Sequence, residues 1–289
     1  MTMPRRIPLS TRVHVRMARD LRQIGKRIRN RLKHPSGTTT TPLFVFGCQR
    51  SGTTLLLDLL DQSPQTLVFY EEDRNVMDAY RLRSTRVIDR TLAGSRAPFL
   101  VFKPLTESQH AARLLAHYGE GRGIWMFRDY RAVAASAAAH WPGLHRRWVA
   151  AVREGVAGGE PWQTESMSAE VRDIILSAGT QLSDVEAAAL FWFARNALLF
   201  EQGLDACGQV MVIRYEGLVS DPDAYATRIA QFAGTPIPPD RLREMVLEAR
   251  HQDPPPVRPS VQAICDRLLE RLVATEVFRR AANRQPDPT

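Results

Sequence analysis

The chain has 289 residues, 44% hydrophobic and 24% charged, which is ordinary globular composition and excludes a wholly disordered or fibrous protein. Its length suits one large domain or two small ones. No apolar run nears the roughly 18 residues of a spanning helix, and no secretory h-region with a cleavage site is readable. Three scattered cysteines (Cys48, Cys207, Cys265) form no CxxC or Cys/His cluster, so the expectation is a reducing, cytoplasmic compartment without a disulfide framework or structural metal.

The net charge of +8 is uneven. Residues 1–41 hold eleven cations against one acid, Asp20, more than the whole excess, so the rest of the chain is slightly acidic. Within this arm Val13, Met17, Leu21, Ile24, Ile28 and Leu32 step by three or four, tracing one face of a helix with arginines around the remainder. The favoured expectation is that this apolar stripe packs on the body while the arginines are solvated. The rival is peripheral contact of residues 10–33 with an anionic membrane at the cytoplasmic face. Nucleic acid is disfavoured, because the basicity is confined to the arm. His34-Pro35-Ser36-Gly37 and a threonine run then read as a linker, which divides the chain into an arm, 1–41, and a domain, 42–289.

From Pro42 onward, short β-branched and aromatic runs at 43–47, 66–70, 99–103, 123–127 and 209–213 read as buried strands. Helical stretches lie at 53–62, 107–117, 130–140, 185–205, 222–233, 239–249 and 261–281. The alternation predicts an α/β fold with three α/β/α layers and a central, mostly parallel sheet. Residues 141–184 read as an insertion over one edge of that sheet.

The first strand runs into Gly47-Cys48-Gln49-Arg50-Ser51-Gly52-Thr53-Thr54 and then an apolar helix. A glycine-bounded turn there presents backbone N–H groups at a helix N-terminus, a P-loop-like anion cradle. Thr53 stands where a Walker loop needs lysine, which disfavours the alternative of a P-loop nucleotide kinase or NTPase. Arg50 supplies the cation instead. The strand at 123–127 delivers Arg128 to the carboxyl edge of the sheet, with Ser136 on the following helix, a second anion pocket. The body also spells cation as arginine throughout, except at Lys103, which hints that a compact point charge is required there.

Over most of 42–235 the sequence resembles the sulfotransferases that use 3′-phosphoadenosine 5′-phosphosulfate (PAPS) and release PAP. QRSGTTLL (49–56) resembles their 5′-phosphosulfate loop, FRDYRAVAAS (127–136) their 3′-phosphate motif, and VIRYEGLVSDP (212–222) their RYEDLV-type segment, with Gly217 where an acid is common. Trp192 and Asn196 fit a W-x-x-x-N pattern. The nearest branch is the bacterial and tyrosylprotein type, because Leu105 occupies the position of the cytosolic enzymes' catalytic histidine.

The resemblance implies sulfuryl transfer to a hydroxyl or amine. Arg50, Ser51, Gly52, Thr53 and Thr54 would hold the 5′ end without a metal, Arg128 and Ser136 would hold the 3′-phosphate, and Lys103 would stabilise the leaving phosphate. Glu71 or Glu72 would be the general base, with the count from Arg50 favouring Glu71. Tyr215 is a candidate for the donor-site wall and Arg258 for a lid over the 3′-phosphate. Arg195 is read either as a donor-site residue or as packing with a polar tip. The acceptor stays open among carbohydrate, lipid, peptide and small metabolite.

Overall fold

A computed structural model describes residues 9–155, 161–247 and 255–282. Five strands, β1 (Thr41–Gly47), β2 (Thr66–Phe69), β5 (Phe99–Phe102), β6 (Arg122–Phe127) and β7 (Val210–Arg214), form one sheet in the order β2-β5-β1-β6-β7. Every pairing in it is parallel. A two-stranded hairpin, β3 (Met77–Asp78) with β4 (Arg81–Leu82), lies apart from it.

The helices are α1 (Leu9–Lys33), α2 (Thr53–Leu60), α3 (Thr85–Ala93), α4 (Ala111–His117), α5 (Tyr130–His140), α6 (Leu144–Glu154), α7 (Ala169–Ser177), α8 (Asp184–Glu201), α9 (Tyr215–Ser220), α10 (Pro222–Ala233), α11 (Pro239–Leu247) and α12 (Pro259–Ala282). The stretch expected to be one helix over 107–117 is a 3₁₀ helix, Leu105–His110, leading into α4. The helix expected to reach residue 205 ends at Glu201.

Strand residues alternate between the two faces, as the pleat requires. Phe44, Phe46, Phe69, Phe102, Trp125 and Phe127 turn toward the α5 and α8 side, where the larger core lies. Leu43, Val45, Val101, Ile124, Met126 and Ile213 turn toward α2 and α10. Both faces are covered, so the strands read as continuous apolar runs. The described part of 141–184 packs as α6 and α7 against α8, one helical layer away from the sheet.

The N-terminal helix reverses an expectation. Met17, Leu21, Ile24, Ile28 and Leu32 are the exposed residues, and the polar face is the one docked on the body. Lys26 Nζ lies 2.9 Å from Asp61 Oδ1 and also donates to the Asp61 carbonyl, with Arg22 Nη1 2.9 Å from Asp61 Oδ2. Arg19 forks onto Asp58 at 2.7 and 3.0 Å, and Asn30 donates to the Pro64 carbonyl. Asp61 is fully buried at the end of α2. Left unpaired, that buried carboxylate would cost several kcal/mol, and these partners remove the cost. Gln23 also accepts from the Val68 N–H, which caps an edge strand that would otherwise offer free backbone donors.

Burial holds the Lys26 ammonium below its usual range, with Asp61 opposing that shift. Lys26→Ala is expected to lower the unfolding free energy by about 3 kcal/mol, measured by urea denaturation of the full chain.

Candidate active site

The site lies at the carboxyl edge of the sheet, where five parallel strands end together. Gly47 closes β1 at φ 128°, and a Cβ there would stand 2.3 Å from the Met126 carbonyl oxygen of the neighbouring strand. Arg50 (φ 68°) and Gly52 (φ 87°) both adopt the left-handed region. That alternation turns successive N–H groups inward, toward the start of α2, whose first donors have no intrahelical acceptor. A side chain at Gly52 would collide with the Tyr215 ring at 2.4 Å, so Tyr215 backs the loop.

Two clusters of cations meet this loop. In the first, Lys103 follows β5 and is almost fully buried. Its Nζ donates to Thr54 Oγ1 at 3.0 Å and lies 2.9 Å from Glu71 Oε2. Glu71, just past β2, is half-buried, whereas Glu72 is exposed. Of the two acids, Glu71 is the one in contact with Lys103.

In the second cluster Arg50 Nε donates to Ser136 Oγ at 2.9 Å, directly linking the two sequence motifs. The Arg50 side chain, which begins in the anion loop, therefore reaches across to the Ser136 side of the site. Burial, and then the neighbouring Arg128, hold the Arg50 guanidinium below its usual range. The Arg128 guanidinium lies 4.3 Å over the Tyr215 ring. Among the described residues no carboxylate pairs with either arginine, and Arg128 Nε and Ser51 Oγ are buried without a partner. Two adjacent guanidinium groups and an orphaned hydroxyl are a receptor for anionic oxygens.

Other motif residues hold Arg128 in place. Trp192 Nε1 donates to the Arg128 carbonyl at 3.0 Å, and Asn196 accepts from Trp125 Nε1 on β6 at 3.2 Å while donating to the Trp192 carbonyl. Glu216 accepts from the Asp129 N–H at 3.0 Å, joining the segment after β7 to the start of α5. Gly217 has a steric reason: a Cβ there would stand 2.0 Å from the Tyr225 hydroxyl, which itself donates to Glu276 at 2.7 Å.

Arg258, expected in a lid over the 3′-phosphate, is engaged at the start of α8. Its guanidinium grips Glu186 (Nε to Oε1, 2.7 Å; Nη2 to Oε2, 2.9 Å), at the capping box that starts α8. Neighbouring Asp253 and Pro254 lie outside the described residues. Arg195 is fully buried, donating to Gln109 and to the Leu105 carbonyl, and burial pushes it down to about 10. Trp141, expected to be a structural or acceptor-pocket residue, lies with its ring 6.0 Å from the Arg50 guanidinium carbon. Its signal was an aromatic residue at the end of the helix that carries Ser136.

This loop, strand-end lysine and paired arginines on a parallel sheet define a class of anion-handling α/β transferase. The model of the sulfotransferase domain family matches residues 40–254, and the chain belongs to that family. It is accordingly a sulfotransferase whose donor is PAPS. Among solved structures, a sulfotransferase from Alicyclobacillus acidocaldarius is 18% identical, with a TM-score of 0.48, covering 82% of this chain and 95% of that one. STF9 from Mycobacterium avium is 17% identical at 0.46, covering 87% of this chain and 81% of that one. Mouse SULT7A1, solved with PAP, is 12% identical at 0.44, covering 85% and 89%. No curated protein matches the chain.

Hydrogen bonds from Arg258 hold Glu186 down at about 2, below its usual 4.5. A depressed carboxyl stabilises the fold above the unfolded pKa and loses that contribution as pH falls toward the folded one. Arg258→Ala should therefore lower Tm at pH 7, narrow the Tm difference between pH 7 and pH 3, and leave PAP affinity unchanged, as read by thermal scans and calorimetry.

Proposed function

We propose that Glu71 is the general base and Lys103 the leaving-group cation of sulfuryl transfer in this chain. The single observation that carries this reading is the convergence of Glu71, Lys103 and Thr54 on one point of the anion loop. A carboxylate and an ammonium in contact can divide the work. The carboxylate takes the proton of the acceptor hydroxyl, and the ammonium opposes the charge that grows on the departing phosphate oxygen. The donor supplies an activated sulfuryl group whose bond to the 5′-phosphate breaks as the acceptor oxygen bonds to sulfur, leaving PAP with the electron pair.

Ser51, Gly52, Thr53 and Thr54 hold the 5′ end through the loop's backbone donors and hydroxyls. Arg128, Ser136 and Arg50 take the 3′-phosphate, with Tyr215 as the wall behind Arg128. The orphaned Arg128 Nε and Ser51 Oγ support that division, since both would gain acceptors from a bound bisphosphate. Leu105, buried at the head of the 3₁₀ helix where the cytosolic small-molecule branch carries histidine, favours the glutamate-using bacterial and tyrosylprotein branch. The acceptor class is a hydroxyl or an amine.

With radiolabelled PAPS and a cell extract as the acceptor source, Glu71→Gln should slow single-turnover label transfer at least about a hundredfold. Glu72→Gln should stay within about twofold, and both variants should keep PAP affinity. Equal rates for Glu71→Gln and the parent protein would overturn the assignment. Arg128→Ala should weaken PAP binding by at least about tenfold, close to 1.4 kcal/mol, in calorimetry.

A further inference from the structure

The outward face of α1 has no role in the chemistry above. Met17 (57% exposed), Leu21 (67%), Ile24 (53%), Ile28 (56%) and Leu32 (83%) lie along it, and among the described residues they are five of the seven large hydrophobics that stand in solvent. From Met17 to Leu32 the stripe is roughly 22 Å long, at about 1.5 Å rise per residue. Its orientation is fixed, because the opposite face is held by Arg19, Arg22, Gln23, Lys26 and Asn30 on Asp58, Asp61, Val68 and Pro64. The body thus has no surface to offer this stripe.

The borders of the stripe are cationic. Arg27 and Arg31 flank it on one side and Arg29 on the other, all exposed, with Asp20 the only acid on the described part of the helix. We propose that α1 docks the protein on an anionic lipid bilayer, its apolar stripe seated at the headgroup boundary and its bordering arginines on lipid phosphates. An amphipathic helix of this kind lies in the interface and does not cross it. No helix among the described residues is long and apolar enough to span a membrane.

Charge decides against a second copy of the chain as occupant, since pairing two such faces would bring arginine borders of like sign together. It favours a surface that supplies both an apolar interior and negative headgroups. The register of α1 gives the docking a consequence for the site. Asn30 touches Pro64 before β2, Gln23 touches Val68 within it, and the Arg19 guanidinium stacks 4.2 Å over the ring of Tyr70, next to Glu71. The helix runs antiparallel to β2, so its N-terminal half lies beside the catalytic edge. Docking would bring the Glu71 end of the site alongside the bilayer.

The test is co-sedimentation of the full chain with vesicles of phosphatidylglycerol and phosphatidylcholine, against vesicles of phosphatidylcholine alone. Deleting α1 is unsuitable, because it would strip Asp61 of its partners. The parent protein is expected to bind the anionic vesicles and to bind neutral ones at least about tenfold more weakly. Leu21→Glu/Ile28→Glu, on the face that touches nothing, should cut anionic binding at least about tenfold with Tm and PAP affinity unchanged. The proposal is overturned by no binding by the parent protein, by equal binding by the double variant, or by a dimer in light scattering that the double variant dissolves without any vesicle binding. If Arg27→Glu/Arg31→Glu abolished binding while the stripe variant did not, adsorption would be purely electrostatic and the seated stripe would likewise be refuted. None of these outcomes depends on the roles given to Glu71 and Lys103.

Discussion

Positive charge without a covalent counter-charge is the constraint around which this molecule is arranged. Five parallel strands end at one edge, and there Arg50 and Arg128 stand close together with no carboxylate among the described residues paired to either. Two guanidinium groups so placed repel, and burial makes the repulsion harder to screen. The fold tolerates them because neighbouring side chains hold them in place. Trp192 pins the Arg128 carbonyl, Tyr215 lies under its guanidinium, and Ser136 accepts from Arg50. An anion bound between them would offset that repulsion.

Lys103 is handled differently. Its ammonium has a hydroxyl and a carboxylate within contact distance, so it is satisfied before any ligand arrives. Lysine suits this position because a compact ammonium can meet Thr54 and Glu71 at one point, whereas a guanidinium fork would spread its donors. Lys103 is the one exception in a chain whose other body cations are arginines.

The N-terminal helix inverts the ordinary logic of amphipathicity. Helices of water-soluble domains bury the apolar face and solvate the charged one. Here the charged face is spent on two aspartates of α2, one of them fully buried. An acid of that kind must be paired to be buried at all, and α1 supplies an ammonium, a guanidinium and an amide to it. The aliphatic face is left for whatever lies outside the molecule.

Much was legible in the sequence itself. Helix α5, bounded by the Asp129 cap, and helix α10, with proline at its first position and glycine beyond its end, stand at the residues expected. The five strands were readable because both faces of a covered parallel sheet are apolar. The anion loop was equally plain, because glycine at 47 and 52 and hydroxyls at 53 and 54 are local requirements of a tight turn opening a helix. Other features depended on contacts between residues far apart in the chain. Which of Glu71 and Glu72 meets Lys103 turns on where the end of β2 aims each carboxylate. Arg50 went to Ser136, 86 positions away, and Arg258 to Glu186, 72 positions away. The apolar stripe of α1 faces outward because a buried aspartate claims the opposite side. Local sequence sets backbone preference and periodicity over a few residues, whereas the partner of a long charged side chain is settled only when the folded chain brings the two ends together.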